Sequence, residues 1–378
     1  MADVVIAGGG PAGASLAVML GRAGISVDVY DAHRFPREKP CGEGLMPAGV
    51  AVLERLGLLE AVGGRRLSGV RYTGFGLRAE SAFPDVAGQP VCLLAQRRLR
   101  LDQALIEAAR ATPGVRVFED AEVEGAAVEG GRAVGLRVGG ELRRAGLVVG
   151  ADGLASRVRR SLGLDGPARR PARVGVRAHY RLAAGREAPD RLEIFLGEGH
   201  ELYVAALPDR ELLVAALARK EALGGGARAT LARWIDAEPR LRELLDGAEP
   251  LTDVAGRAPV VQRARAGVAP GAVLLGDAAG STDPLTAGGM AHALLTAERL
   301  AAYVPRALAG GTPGDRWLRR FDRERRRLLR DHVLLTGVLV ALVGRPRAAR
   351  ATLGLMRAQP ALMRHLVGVA AGVRRMFG

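Results

Sequence analysis

The chain opens on a short apolar run at 4–6, meets a glycine-rich turn, and continues as an apolar stretch over 12–22 that Gly24 ends; a second strand is predicted at 26–30. A strand, glycine turn, helix and strand within about 30 residues is a βαβ unit. Residues 98–111 carry Leu101, Leu105 and Ala108 on one helical face, and Pro113-Gly114 stops that helix. Strands follow at 115–118, 122–128 and 134–138, the last two forming a hairpin across Gly130-Gly131, and at 147–149, ending on Gly150. The pattern changes over 173–218. Four strands, 174–182, 191–196, 201–207 and 211–218, succeed one another with turns at Gly185, Gly197 and Pro208-Asp209, which predicts an antiparallel sheet inserted into an α/β framework. A short buried strand returns at 273–275, and from about 287 onward the pattern is helical. No internal repeat or low-complexity linker interrupts it.

With 378 residues, 48% of them hydrophobic, the chain can build two or three structural units around a sizeable core. Its two cysteines, Cys41 and Cys92, form no CxxC pair and cannot make a disulfide framework, which fits a reduced, cytoplasmic interior. No basic stretch and long apolar run precede the first strand, so no secretory signal is expected, and the longest charge-free apolar run, 332–344, has 13 residues. A spanning helix needs about 20. The six histidines, at 33, 179, 200, 292, 332 and 365, are scattered, so no metal site is expected.

The net charge of +15 is uneven. Residues 316–378 hold 15 Arg against three acids, a net of +12, leaving about +3 for the rest. The cations are 53 Arg and two Lys, Lys39 and Lys220, in a chain rich in Ala and Gly, which reads as compositional bias. No aromatic residues interleave with the arginines as stacking platforms, so no nucleic-acid partner is expected. The basic tail offers a peripheral contact to anionic lipid or to an acidic protein; a solvated helix face is the plainer alternative.

Three motifs carry the chemistry. The first, Gly8-Gly9-Gly10-Pro11-Ala12-Gly13, matches GxGxxG between strand and helix. Gly8 permits the tight turn, Gly10 lets backbone approach a pyrophosphate at the helix N-terminus, and Gly13 lets helix pack on strand. Asp31 closes the second strand, where a carboxylate accepts hydrogen bonds from a ribose diol and disfavours a 2′-phosphate; FAD or NAD fits, NADP does not. The second motif is Asp152-Gly153 after the 147–149 strand. The third is Gly276-Asp277, continuing to Pro284 and to Gly288-Gly289-Met290. Each is an apolar strand running into a turn beside a carboxylate, and each alone is matched by an ordinary Asp-Gly turn.

In this order the three motifs resemble the flavoprotein superfamily of para-hydroxybenzoate hydroxylase and geranylgeranyl reductase, over most of residues 1–300. The resemblance implies a discontinuous FAD-binding Rossmann-like domain (1–70, 92–172 and 252–330), an antiparallel substrate-binding sheet (71–91 and 173–251), and a helical C-terminal segment (331–378). It implies that the first motif holds the ADP half of FAD and that Asp152 lies near the pyrophosphate. Asp277 would bind the ribityl–phosphate region, and Pro284 to Met290 would edge the isoalloxazine. Arg98, four residues before Asp102, matches a flavin-contacting arginine, with Arg97 as the alternative register. The stretch Phe35-Pro36-Arg37-Glu38-Lys39-Pro40-Cys41-Gly42-Glu43-Gly44-Leu45 is similar to an element of the geranylgeranyl-reductase-like branch that borders flavin and substrate, placing Arg37, Cys41 and Gly42 at the cofactor. As for Cys41 itself, a small packed residue is favoured over a redox thiol.

That branch also carries Tyr-x-Trp-x-Phe-Pro on its substrate sheet. Here Tyr203 and Pro208 match, while Ala205 and Leu207 replace the tryptophan and phenylalanine, and the following LLVAAL resembles the hydroxylase members. The resemblance therefore implies a FAD monooxygenase acting on a lipophilic or aromatic substrate. An alkene reductase of prenyl lipids or quinones is the first alternative, and a prenyl-binding chaperone without flavin the second. No second strand–GxGxxG–helix is present, so NADH or NADPH is expected to visit transiently or a separate reductase to deliver electrons. His179 and Tyr203 lie on predicted substrate-sheet strands and are candidates for the flavin face, each with a half-buried strand residue as its plainer reading.

Overall fold

A computed structural model describes residues 1–167, 173–309 and 314–377. The predicted domain edge at 172 and the last residue, 378, lie outside them. A parallel sheet forms the centre. Its strands lie in the order Ala272–Leu274, Glu141–Gly150, Ala2–Ala7, Val27–Tyr30 and Val115–Phe118, every pairing parallel. Val4, Ile6, Val27, Val29, Leu147 and Val149 on one face, and Val5, Ala7, Tyr30 and Val148 on the other, are buried, as strands covered on both faces require. The helix Pro11–Arg22 packs between Arg98–Ala111 and Gly289–Ala301.

The strand predicted at 147–149 is ten residues long, Glu141–Gly150. Its first half closes an antiparallel meander with Val123–Glu129 and Arg132–Val138; its second half pairs with Ala2–Ala7 in the parallel sheet. The arginines at 143 and 144 hid its first half, because on a solvated face polar residues interrupt the apolar run.

The second sheet has the order Glu249–Pro250, Arg173–Arg181, Glu211–Arg219, His200–Ala206, Leu192–Gly197, Gly69–Gly74 and Leu77–Ala82. It departs from the antiparallel expectation at one seam, where Gly69–Gly74 runs parallel to Leu192–Gly197. Those strands come from separate excursions of the chain, so no hairpin dictates their sense. The hairpin begins at 69, two residues before the predicted edge at 71. Odd-numbered positions of Arg173–Arg181 and His200–Ala206 face the parallel-sheet domain, as Arg173, His179 and Tyr203 show by contacting Asp283, Glu43 and Leu285; His200, on the other face, stacks on Trp234 of the helix Ala227–Ala237 at 4.3 Å.

The tail forms three helices, Gly314–Val343, Pro346–Ala358 and Pro360–Ala370. The first crosses the predicted boundary at 330/331 without a break. The last two pack over the strand Leu77–Ala82.

Candidate functional site

The three motifs converge at the carboxyl ends of the parallel strands. Gly8 has φ +99°, and a Cβ there would lie 2.5 Å from the Ala151 carbonyl oxygen, so the first turn is pressed against the second motif. A Cβ on Gly13 would lie 1.9 Å from the Gly8 oxygen, which makes this glycine the condition for helix and strand to touch. A Cβ on Gly276 would lie 3.1 Å from the Ala12 Cβ, so the third motif reaches the same helix N-terminus. That terminus, Gly10-Pro11, has no side-chain cap. Space for a Cβ on Gly10 opens toward the Arg37 and Arg98 guanidinium groups, at 3.6 and 4.0 Å.

Charge fills this cleft. Arg37 reaches Asp102 at 3.2 Å and Asp31 at 3.6 Å, with its Nε buried and unpartnered. Arg98 forms a bidentate pair with Asp102, both bonds 2.7 Å. Lys39 places its ammonium behind Gly153, 3.5 Å from where a Cβ would stand. Burial, reinforced by Arg98, pulls its pKa down to about 8, while Asp277 pulls the other way. Among the described residues the Lys39 ammonium and the Asp277 carboxylate make no hydrogen bond. Three cations with an orphaned donor, around a capless helix N-terminus and a glycine cradle, fit a bound pyrophosphate. Asp31 accepts from the Gly9 N–H at 2.8 Å and the His33 N–H at 3.0 Å, and a carboxylate keeps capacity for a ribose hydroxyl.

Asp152 is placed beside Gly8 by its backbone, but its carboxylate turns away. It accepts from the N–H groups of Arg157 and Val158, at 2.7 and 3.1 Å, and from Ser156 Oγ, capping the helix Arg157–Ser161. Its contribution to a ligand is thus the shape of the turn, with Gly153 at φ +74°. Pro284 opens a short turn, Pro284–Thr286, and Gly288 caps the helix Gly289–Ala301. Gly289 faces open space, Met290 is buried, and Gly288 lies against His332. Thr286 Oγ1 holds that loop to His332 Nε2 at 2.8 Å and to Thr336 at 2.7 Å. Cys41 is a free, half-buried thiol beside Arg98, accepting from the Glu43 N–H; Gly42 next to it is open.

The two sheet candidates part company. His179 faces the cofactor side but is wholly buried, its Nε2 2.7 Å from Glu43. Arg177 and Thr252 contact Nδ1 at 3.1 and 3.2 Å, which assigns the proton to Nε2. Glu43, also wholly buried, accepts from the Arg98 N–H on its other oxygen. This pair joins the 35–45 segment to the sheet, and His179 touches no open space. Tyr203 instead lines a cleft, its hydroxyl donating to the Leu285 carbonyl at 3.2 Å. The cleft runs from Leu285 between Tyr72, Ile194 and Tyr203 to Leu339 and Leu353 of the tail, with about 440 Å³ of empty space including its mouth. A second lobe, sharing Tyr72, Ile194 and Leu285, extends to Ala287 and Val367. Burial pushes the Tyr72 phenol up to about 12 and Tyr203 higher.

Glu43 and Tyr72 were not singled out by sequence. Glu43 had one available signal: a non-glycine between two glycines, which here adopts φ +53°.

Residues 1–335 match the model of the FAD binding domain family. The chain belongs to that family. It is a FAD-dependent oxidoreductase of the para-hydroxybenzoate hydroxylase and geranylgeranyl reductase superfamily. The flavoprotein is 33% identical to the menaquinone reductase of Mycolicibacterium smegmatis over 323 residues, 80% of this chain and 75% of that protein. It is 36% identical to the 6-methylpretetramide 4-monooxygenase of Streptomyces rimosus over 172 residues, 43% and 41% of the two chains. In fold it is similar to a flavoprotein/dehydrogenase of Cytophaga hutchinsonii, with TM-score 0.85, 21% identity, and 98% and 92% of the two chains covered. The same holds for PqsL of Pseudomonas aeruginosa, with TM-score 0.76, 24% identity, and 92% and 98% covered.

Proposed function

We propose that this FAD-dependent enzyme hydroxylates the ring of a lipophilic aromatic compound bearing an apolar chain, taking electrons from NADH or NADPH. One observation carries the reading: a mostly apolar cleft that begins at the flavin-edge loop beside Tyr72 and Tyr203 and runs on between tail residues that are apolar except for Thr352. A ring with a hydroxyl suits the tyrosine end and a chain suits the rest. When bound, FAD supplies the redox chemistry. The protein's own part is to hold it and to keep water out. Gly8, Gly10 and Gly13 shape the cradle, Arg37, Lys39 and Arg98 neutralise the phosphates, and Asp31 takes the ribose. Tyr203 fixes the Leu285 carbonyl and with it the loop between cofactor and substrate. No carboxylate or imidazole lines the cleft among the described residues, so orientation and dryness, not acid–base groups, are its contribution.

A second reading, reduction of an alkene in the chain of a quinone-type lipid, is favoured by the identity to menaquinone reductase over most of both chains. Ala205 and Leu207, where the reductase branch has tryptophan and phenylalanine, favour oxygen insertion. Product mass under ¹⁸O₂ separates them. Gain of one labelled oxygen supports hydroxylation; gain of two hydrogens without label refutes it in favour of the reductase.

A further inference from the structure

The tail helices present a face that the fold leaves uncovered. Val333, Leu334 and Val338 of Gly314–Val343, Leu355 and Leu362 of the next two helices, and Phe377 beyond them are each more than a third exposed, Phe377 by 71%. On the long helix these residues continue, at helical spacing, the exposed stripe of Arg323, Arg327 and Arg330. From 332 to 378 the sequence holds seven arginines and no aspartate or glutamate. Among the described residues only one of the seven, Arg364, forms an ion pair, with Asp85 at 3.8 Å.

We infer that this face docks the enzyme on the surface of an anionic phospholipid membrane. Exposed leucine, valine and phenylalanine among unpaired arginines are the composition of interfacial helices, which sink their apolar side chains to the acyl boundary while guanidinium groups meet phosphates. A second copy of the chain does not fit: it would bring arginine against arginine with no carboxylate from this stretch to intervene. Nor does a spanning helix, since none of the described helices is long and apolar enough to cross a membrane. The same two helices wall the cleft from inside through Leu339, Val343, Leu353 and Met356. Leu355 faces out beside Met356, which faces in. A chain-bearing substrate dissolved in the bilayer would therefore enter between Gly314–Val343 and Pro346–Ala358. This route rests on the proposed substrate class; the docking surface does not.

The test is flotation of the FAD-loaded enzyme with vesicles of phosphatidylcholine, with and without phosphatidylglycerol, at low and high salt. Binding is expected only with phosphatidylglycerol and is expected to weaken with salt. Arg347→Ala with Arg350→Ala should weaken it about thirtyfold, at about fivefold per arginine. Leu334→Asp with Val338→Asp should abolish it. Flavin content and substrate-free NAD(P)H oxidation serve as folding controls and should not change. No binding to phosphatidylglycerol vesicles overturns the inference. So does full binding by the Leu334→Asp, Val338→Asp protein together with capture on polyglutamate, which would assign the face to an acidic protein. Vesicle binding without turnover of any lipophilic phenol would sink the substrate reading and leave the docking surface standing.

Discussion

Glu43 is the most consequential side chain outside the glycine motifs, and its removal should be costly in a calculable way. It is fully buried and accepts two hydrogen bonds, from His179 Nε2 at 2.7 Å and from the Arg98 N–H at 3.1 Å. Glu43→Ala strands both donors in the interior. Each buried unsatisfied group costs about 1–3 kcal/mol, so the loss should be about 2–6 kcal/mol. Against a total stability of about 5–15 kcal/mol, that variant is at the edge of folding. Glu43→Gln keeps the shape and one acceptor but loses the charge-assisted bond, and should cost about 1.5–3 kcal/mol. The measurement is a double-mutant cycle with His179→Phe, read by denaturant unfolding of the FAD-saturated protein. A coupling energy above about 1 kcal/mol is expected, because the two side chains are each other's partner. Because Arg98 starts its helix on Glu43, FAD affinity should fall in Glu43→Gln but not in His179→Phe. Coupling within about 0.5 kcal/mol of zero would refute the pairing.

Other expectations follow from the same geometry. Lys39 sits near pKa 8 and a bound pyrophosphate must raise it, so FAD binding takes up a proton above that pH. FAD affinity should then fall by up to tenfold per pH unit above about 8, and Lys39→Arg should flatten the profile in a flavin-fluorescence titration; a flat wild-type curve counts against the ammonium meeting phosphate. Burial holds His332 at about 4 against 6.5 unfolded, so the unfolded chain binds the extra proton. Stability from this group is complete above about pH 6.5 and declines toward pH 4 by about 3 kcal/mol. Melting curves of His332→Gln should lose that slope, and an unchanged slope would place the acid sensitivity elsewhere. Gly13→Ala drives a Cβ into the Gly8 carbonyl, so purified protein should lose its absorbance near 450 nm even with added FAD; normal flavin content would contradict the close packing. Tyr203→Phe frees the Leu285 carbonyl, costing about 1 kcal/mol; substrate-stimulated NAD(P)H oxidation should yield more peroxide and less product, and unaltered coupling would remove Tyr203 from loop positioning.

Much of the framework was legible because its signals are local. The turn at Gly8–Gly13 needs only six neighbouring residues, and the helix Arg98–Ala111 shows its own face and its own stop. What stayed hidden depends on partners distant in sequence. Asp152 looked like a ligand-side carboxylate, yet nothing upstream of it reveals that its own downstream helix takes both oxygens. His179 alternates correctly toward the cofactor side, but its cover, Glu43, lies 136 residues away. Lys39 stood out by composition alone, as one of two lysines, and its place beside Gly153 requires the folded loop. The parallel seam between Gly69–Gly74 and Leu192–Gly197 joins two excursions of the chain that no short-range pattern connects.

The way Gly8 is hemmed in has a consequence for the order in which the protein is born. Its turn is shaped by Ala151 and, through Ala12, by Gly276, so the cradle has no walls while the ribosome is still making the middle of the chain. At about 5–20 residues per second, the interval between the first turn and the third is about ten seconds to a minute. Until residue 150 is made, the apolar strand Ala2–Ala7 has only one of its two final neighbours, Val27–Tyr30; from then until residue 274 the open edge is that of Glu141–Gly150, which still lacks Ala272–Leu274. Flavin capture is therefore a late event in synthesis, and a nascent chain stalled before residue 272 should present an unpaired strand edge to chaperones.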